Sequence, residues 1–280
     1  MVLFALEGLR SRDLWQTSKP PKRLLKVSGT RIRLIDSSEY KVLSYITLSH
    51  CWGAGEQGKT PLTTSRDTYR HRCQDIPWTE LPRTFQDAIT LTRLIGCEFI
   101  WIDSLCIVQD DDDDWKEQSY QMADIYSHGY LNLAATAATD SSYGCFFARR
   151  HPSEPNGSTN IERSLSPRTL HFCASELVWE CRASVFCECG GYNGAIPAVK
   201  QRFSNVLHQG CSQQAALDFW LSTVQSYSNL RLTKATDWPF ALAGIASRLQ
   251  NTIGGLYFAG IWATDLPRAL AWELAASNTL

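Results

Sequence analysis

No apolar run in this 280-residue chain reaches the roughly 18–20 residues that a membrane-spanning helix needs. An excess of one charge is also lacking. The formal net charge is −1, so no overall field draws the chain to nucleic acid or to an anionic membrane. The start, Met1-Val2-Leu3-Phe4-Ala5-Leu6, is broken at once by Glu7, Gly8 and Arg10. It has neither the basic n-region nor the long apolar stretch of a secretory signal. These absences predict an intracellular, cytoplasmic protein with reduced thiols, no nucleic-acid partner and no membrane span.

Spacing excludes a second group of functions. Ten cysteines are present, yet none forms a C-x-x-C pair. The nearest grouping is Cys181, Cys187 and Cys189, with His208 and Cys211 further on. That spacing suits zinc poorly, and buried free thiols are the better reading, so no metal is expected. Ten tryptophans supply large core area and flat platforms for ring-shaped ligands. With 44% hydrophobic and 20% charged residues, the chain has the material of an ordinary globular fold. Its length allows one large domain or two small ones.

Residues 1–23 read as a polar lead-in stopped by Pro20-Pro21. Alternation over 31–36 predicts an edge strand, and the more apolar 42–49 a central one. A polar surface helix is expected over 63–72. The clearest helix spans 82–95, where Phe85, Ala88, Ile89, Thr92 and Ile95 recur at helical spacing. Pro82 suits its first turn and Gly96 its stop. A short buried strand over 99–102, a helix opened by the Asp110–Asp114 run and a strand over 130–135 complete a β-α-β-α-β order. That order predicts an α/β fold with a parallel sheet flanked by helices. Further on come a polar loop over 149–167, a hairpin over 168–181, and helices over 215–228 and 239–250.

Ligands of open α/β sheets bind outside the carboxyl ends of the strands. Two such ends here deliver Ser49, His50, Cys51, Asp103, Cys106 and Gln109 to one side of the sheet. Cys106 with His50 suggests a thiol and its base, which would need a lowered thiol pKa. The run Asp110–Asp114 suggests a divalent cation, but a solvated, dipole-complementing helix start explains it more simply. Residues 53–60, Gly-Ala-Gly-Glu-Gln-Gly-Lys-Thr, fit the phosphate-loop pattern of nucleotide hydrolases letter for letter. Pro61 follows directly, and Thr63-Thr64-Ser65 is a poor start for the helix that pattern requires.

Several ordered motifs resemble the fungal heterokaryon incompatibility (HET) domain. They are the strand ending in Ser49-His50-Cys51-Trp52-Gly53 and the Leu81-Pro82 helix with Asp87-Ala88. Next come Trp101-Ile102-Asp103-Ser104-Leu105-Cys106-Ile107 with Gln109, then Trp115 with Met122 and Ile125-Tyr126. Gly144-Cys145-Phe146, Leu165–Phe172, Trp179-Glu180-Cys181 and Ala241–Ala246 with Asp237 continue the likeness. Two departures stand out. An Arg-x-Trp-x-x-Gln-Glu motif expected before this last group is missing around residues 156–162. A Glu often found three residues after the helix Trp is here Gln118, with Glu117 one place earlier.

The resemblance implies a TIR-like (flavodoxin-like) sheet, a role in fungal non-self recognition and programmed cell death, self-association, and incompatibility partner proteins. Some TIR domains cleave NAD, so NAD is implied as a substrate rather than a bound cofactor. Cleaving its glycosidic bond suits a carboxylate that holds ribose hydroxyls and stabilises a cationic sugar. Glu117 and Asp103 are the candidates for that chemistry. Ser49, His50, Trp52, Gly53, Cys106 and Gln109 are the candidates for holding the ligand, with Trp52 able to stack on a flat ring. The plain alternatives are a solvent-facing helix carboxylate for Glu117, a cap for Asp103 and core packing for Trp52. The expected layout is a lead-in over 1–30, a HET domain over 31–165 and a mixed α+β extension over 166–280.

Overall fold

A computed structural model of the chain describes residues 17, 19–52, 62–146, 161–191, 199–207, 210–228 and 238–271. Strands β1 (Arg23–Lys26), β2 (Arg33–Asp36) and β3 (Ile46–Ser49) come first. Helices α1 (Arg66–Gln74) and α2 (Arg83–Ile95), strand β4 (Phe99–Trp101), short helix α3 (Asp103–Cys106), long helix α4 (Asp112–His128) and strand β5 (Leu131–Ala134) follow. Then come α5 (Ile161–Leu165) and strands β6 (Arg168–Phe172), β7 (Leu177–Cys181) and β8 (Val185–Cys187). Helices α6 (Val199–Leu207), α7 (Gln213–Ser228) and α8 (Trp238–Ile253) precede a small hairpin, β9 (Tyr257–Phe258) with β10 (Ile261–Trp262), and α9 (Leu266–Ala269). Gly53, the phosphate-loop motif at 53–60, residues 147–160, His208 and Asp237 lie outside the described residues.

Eight strands form one sheet in the order β2-β1-β4-β3-β5-β6-β7-β8. The centre is parallel, as the alternation of strands and helices implies: β4, β3, β5 and β6 all run the same way. Both flanks are antiparallel, with β1 and β2 on one side and the β6-β7-β8 meander on the other. Strand β2 is the edge the alternation predicts. Strand β1 was not legible. It lies inside the segment read as a lead-in and pairs with both β2 and β4. Its apolar content is only Leu24 and Leu25, both fully buried, between Arg23 and Lys26. Four residues with charged ends give no periodicity to read. The sheet also runs on past residue 166 without interruption.

Helix α2 follows its sequence signals closely. Phe85, Ala88, Ile89 and Thr92 are buried, and Gly96 ends the helix in the left-handed region at φ 84°, its N–H donating to the carbonyls of Arg93 and Thr92. The first turn is tied to a distant loop. Asp87 accepts from the backbone N–H groups of Cys145 (2.8 Å) and Phe146 (3.2 Å), and Thr84 Oγ1 accepts from Gly144 N (3.0 Å). Gly144 has φ 92°, and a Cβ there would lie 2.8 Å from Arg83 Cγ and 2.9 Å from Asp87 Oδ2. The Asp87 and Gly144-Cys145-Phe146 motifs therefore form one structural latch.

Helix α4 covers the parallel centre. Trp101, Thr47 and Asn132 share one sheet face by register, and Tyr126 of α4 meets Trp101 edge-on at 5.6 Å. Tyr45 Oη donates to the Ile125 carbonyl at 2.7 Å. On its other side α4 meets α8 at small residues, where a Cβ on Gly244 would come within 2.6 Å of Ala123 Cβ. The acidic run that opens α4 is more than a solvated turn. Asp111 caps the helix by accepting from Asp114 N, and Asp110 accepts from Arg66 N at 2.8 Å. Asp114 is 8% exposed and ion-paired with Arg23 of β1.

Candidate functional site

Parallel pairing of β3 with β4 sets Thr47 opposite Trp101. Two residues further along, Ser49 and Asp103 leave the sheet together at its carboxyl edge. Beyond that edge the chain after β3 turns back, and Trp52 Nε1 donates to Asp103 Oδ2 at 2.8 Å. Asp103 Oδ1 accepts from Ser104 N at 2.7 Å. Gln109 supports the same corner from below, its Nε2 donating to the carbonyls of Asp103 and Ile107, each at 3.2 Å. The Asp103 side chain remains 19% exposed, and Trp52 is partly exposed. A carboxylate and an indole thus face the solvent as one fixed pair.

His50 lies behind this pair. Its side chain is 2% exposed and meets Phe85 edge-on at 4.9 Å. Burial lowers its pKa, although the Asp103 charge pulls the other way, so the ring is neutral at physiological pH. Its Nδ1 is 3.7 Å from Asp103 Oδ1, too far for a hydrogen bond, and a neutral ring forms no ion pair. Nδ1 has no hydrogen-bond partner among the described residues.

Cys106 closes the short helix α3. It is fully buried, and burial pushes its thiol up to about 12. That environment favours the protonated thiol over the thiolate that a nucleophile needs. Ser49 is also buried, at 3% exposure, and its hydroxyl donates inward to Asn132 Oδ1 at 3.1 Å. It shapes the floor under the corner rather than its surface. Gly53 lies outside the described residues.

Glu117 lies in the second turn of α4. It is half-exposed on α4 and accepts from Lys22 Nζ at 2.7 Å. Lys22 also reaches Asp114 (3.2 Å), whose other oxygen takes Val108 N (2.9 Å) and the Arg23 guanidinium. Burial acts to raise the Asp114 pKa, but these donors outweigh it and hold the carboxyl below its usual range. Arg23 Nε donates to the Cys106 carbonyl at 2.7 Å. Lys22 and the first residue of β1 thus lock the start of α4 against the end of α3. Lys22, Arg23 and Asp114 form this lock, and β1 has no sequence signature that would have revealed it.

Three further polar groups lie beneath the strand ends. Asn132 Oδ1 accepts from Thr47 and Ser49 (3.1 Å each), while its Nδ2 has no partner among the described residues. Gln118 is fully buried on α4, and neither its amide nitrogen nor its oxygen has one. Ser104 Oγ is in the same state. Gln118 lies seven residues before Ile125 on the buried stripe. That puts it about 10 Å nearer the carboxyl ends of the strands, at 1.5 Å per residue. Buried amides are normally satisfied, so these groups have hydrogen bonds in reserve for water or a ligand. A polar residue inside the apolar 130–135 run was the available signal for Asn132.

On the far half of the sheet the charged groups are paired with one another, although Glu180 Oε1 itself has no hydrogen-bond partner among the described residues. Glu180, fully buried on β7, accepts at one oxygen from both Arg163 Nε and His171 Nε2. Burial alone would raise its pKa, but His171 and Arg163 outweigh burial and hold the carboxyl at about 2. His171 Nδ1 lies 3.3 Å from Thr136 Oγ1. Lys200 of α6, 1% exposed, donates to the carbonyls of Arg163 and Ser166 and to Thr169 Oγ1. Burial pushes its pKa down to about 7, while Glu180 and the three acceptors favour the ammonium form.

No helix among the described residues is long and apolar enough to cross a membrane. Comparison with curated proteins and with solved structures returned no match. The family model described as "Heterokaryon incompatibility protein (HET)" matches residues 45–188. That span takes in β3 to β8, the Trp52–Asp103 corner, and Glu180 with Arg163 and His171. It covers just over half of the chain, which therefore belongs to the heterokaryon incompatibility (HET) family.

Proposed function

We propose that this HET-family chain acts in fungal non-self recognition by triggering programmed cell death, and that it does so by cleaving NAD at the Trp52–Asp103 corner. The observation that carries the reading is the 2.8 Å hydrogen bond that joins two strand ends in one partly exposed corner. Trp52, its plane fixed by that bond, offers a stacking surface for the nicotinamide or adenine ring. Asp103 supplies the negative charge that a cationic ribosyl transition state needs. Its two oxygens are pre-oriented by Trp52 and Ser104, so little reorganisation accompanies the reaction. Glu117, paired with Lys22 and still half-exposed, is the second carboxylate, for ribose hydroxyls. The buried amides of Gln118 and Asn132 add hydrogen-bonding capacity beneath the strand ends.

Inducible expression in yeast, with viability and cellular NAD measured together, tests this. The unmutated chain is expected to lower both, and Trp52→Ala and Asp103→Asn, expressed at the same level, to lower neither. Viable cells with normal NAD would reject the reading.

A second reading is a self-associating module without catalysis. It draws on the exposed apolar side chains Leu256, Phe258, Leu266 and Leu270 near the β9–β10 hairpin and α9. Death that survives Asp103→Asn but is lost with Phe258→Asp would favour it.

A further inference from the structure

The outer edge of the sheet holds a second group of ligand-type side chains, separate from the Trp52–Asp103 corner. Glu176 lies in the turn that joins β6 to β7. Strand β8 ends at Cys187, and Cys189 follows in the next turn. Because β8 runs antiparallel to β7, with Val178 opposite Cys187, the end of β8 returns beside that first turn. Cys187 Sγ and Cys189 Sγ are 3.1 Å apart, and with a carboxylate oxygen of Glu176 the three ligand atoms lie within 4.8 Å of one another. Cys187 is buried, Glu176 half-buried and Cys189 exposed, so the group has one sealed side and one open side.

The backbone holds this arrangement in place. Cys189 N donates to Glu176 Oε2 at 3.0 Å, and Gly191 N approaches Cys189 Sγ at 3.4 Å. Leu177 N donates to Glu188 Oε2 at 2.9 Å, and Glu188 N to the Leu177 carbonyl at 3.2 Å. Gly190 N donates to the Cys187 carbonyl at 3.3 Å and closes the turn that carries Cys189, with Gly190 itself at φ 78°.

We propose that Glu176, Cys187 and Cys189 form a zinc site with its fourth position open to water or to an external ligand. Two sulfurs and one carboxylate are a borderline-soft donor set, which suits zinc and disfavours magnesium or calcium. Sulfurs bound at about 2.3 Å to one tetrahedral zinc lie about 3.7 Å apart, so the 3.1 Å pair opens by roughly 0.6 Å on loading. The exposed Cys189 side gives the ion its entry. Both thiols release their protons to solvent as the two Zn–S bonds form, with no change of oxidation state. The sequence groups Cys187 and Cys189 with Cys181, His208 and Cys211, at poor spacing. Glu176 joins them only through strand pairing. The bound metal would tie the β6–β7 turn to the end of β8, and it is independent of any NAD chemistry.

The test uses the full chain, reduced and freed of metal, titrated with Co2+ as a spectroscopic stand-in for zinc. A thiolate-to-cobalt charge-transfer band that saturates at one ion per chain and is displaced by Zn2+ is expected. Cys187→Ser and Cys189→Ser should abolish the band, Glu176→Gln should weaken binding, and Cys211→Ser should change nothing. Alkylation mapped by mass spectrometry on the unmutated chain gives a readout that needs no variant to fold. Zn2+ should protect the exposed Cys189 and leave the equally exposed Cys51 reactive. Absence of the band, protection of other cysteines, or a Cys187–Cys189 disulfide that forms in air while Zn2+ fails to bind would each overturn the proposal.

Discussion

The two halves of the sheet bury different kinds of polar group, paired charges on the outer half and neutral side chains near the centre. Of the buried side-chain atoms in the outer network, only Glu180 Oε1 lacks a partner among the described residues. On the outer half, Glu180, His171, Arg163, Lys200 and Thr169 are bound to one another across β6, β7, α5 and α6. Near the parallel centre, His50, Ser104, Gln118 and Asn132 each keep a buried polar atom without a partner among the described residues. A buried charge left alone is costly, so a charged cluster has to be internally paired to persist. A buried amide left alone costs less, and fold stability can carry it if a ligand or water uses it. The outer half therefore reads as a brace and the centre as a site.

The largest expected effect comes from breaking the brace. Glu180→Ala removes the one acceptor shared by Arg163 and His171 and is expected to cost about 3–5 kcal/mol. Urea unfolding followed by circular dichroism measures it. A loss below about 1 kcal/mol would mean that the network does not hold the outer half together.

Acid should strike the same brace. The Glu180 carboxyl titrates near 4.5 when unfolded and at about 2 when folded. Its stabilisation is then complete above about pH 4.5 and is lost as pH falls toward 2, a change on the order of 3 kcal/mol. Thermal melts across that window should show the loss in the unmutated chain, and it should shrink in Glu180→Ala. An unchanged acid response in the variant would assign the loss to other carboxylates.

The smallest effect should come from the centre. Gln118→Leu replaces an amide that has unmet hydrogen bonds and is expected to change stability by less than about 1 kcal/mol, or to raise it. The same variant should impair whatever the site binds. A loss of more than about 2 kcal/mol would show that Gln118 is already well bonded, and the contrast between the halves would fail.

The sequence makes the parallel centre readable because its signals are local. Pro82 and Gly96 bracket α2, and β3, β4 and β5 are apolar runs of adequate length. The nearness of Trp52 and Asp103 follows from that centre, since ligand sites of such sheets open at the strand ends. What was hidden is non-local. β1 has two apolar residues and is a strand only because β2 and β4 lie on either side of it. The pairing of Glu117 with Lys22 and of Asp114 with Arg23 joins residues more than ninety positions apart. No spacing rule reaches that far. The phosphate-loop match and the cysteine spacing show the converse, since short patterns say little until strand pairing decides which residues meet.

Strand β1 has a practical consequence for anyone trimming this protein. The family match begins at residue 45, yet β4 is hydrogen-bonded on its outer side to residues 25 and 26. A fragment cut to the matched span would leave β4 with a bare row of amides and carbonyls along an apolar strand. Such an open border invites another chain to add itself there, and the fragment would be prone to clump for reasons unrelated to its biology.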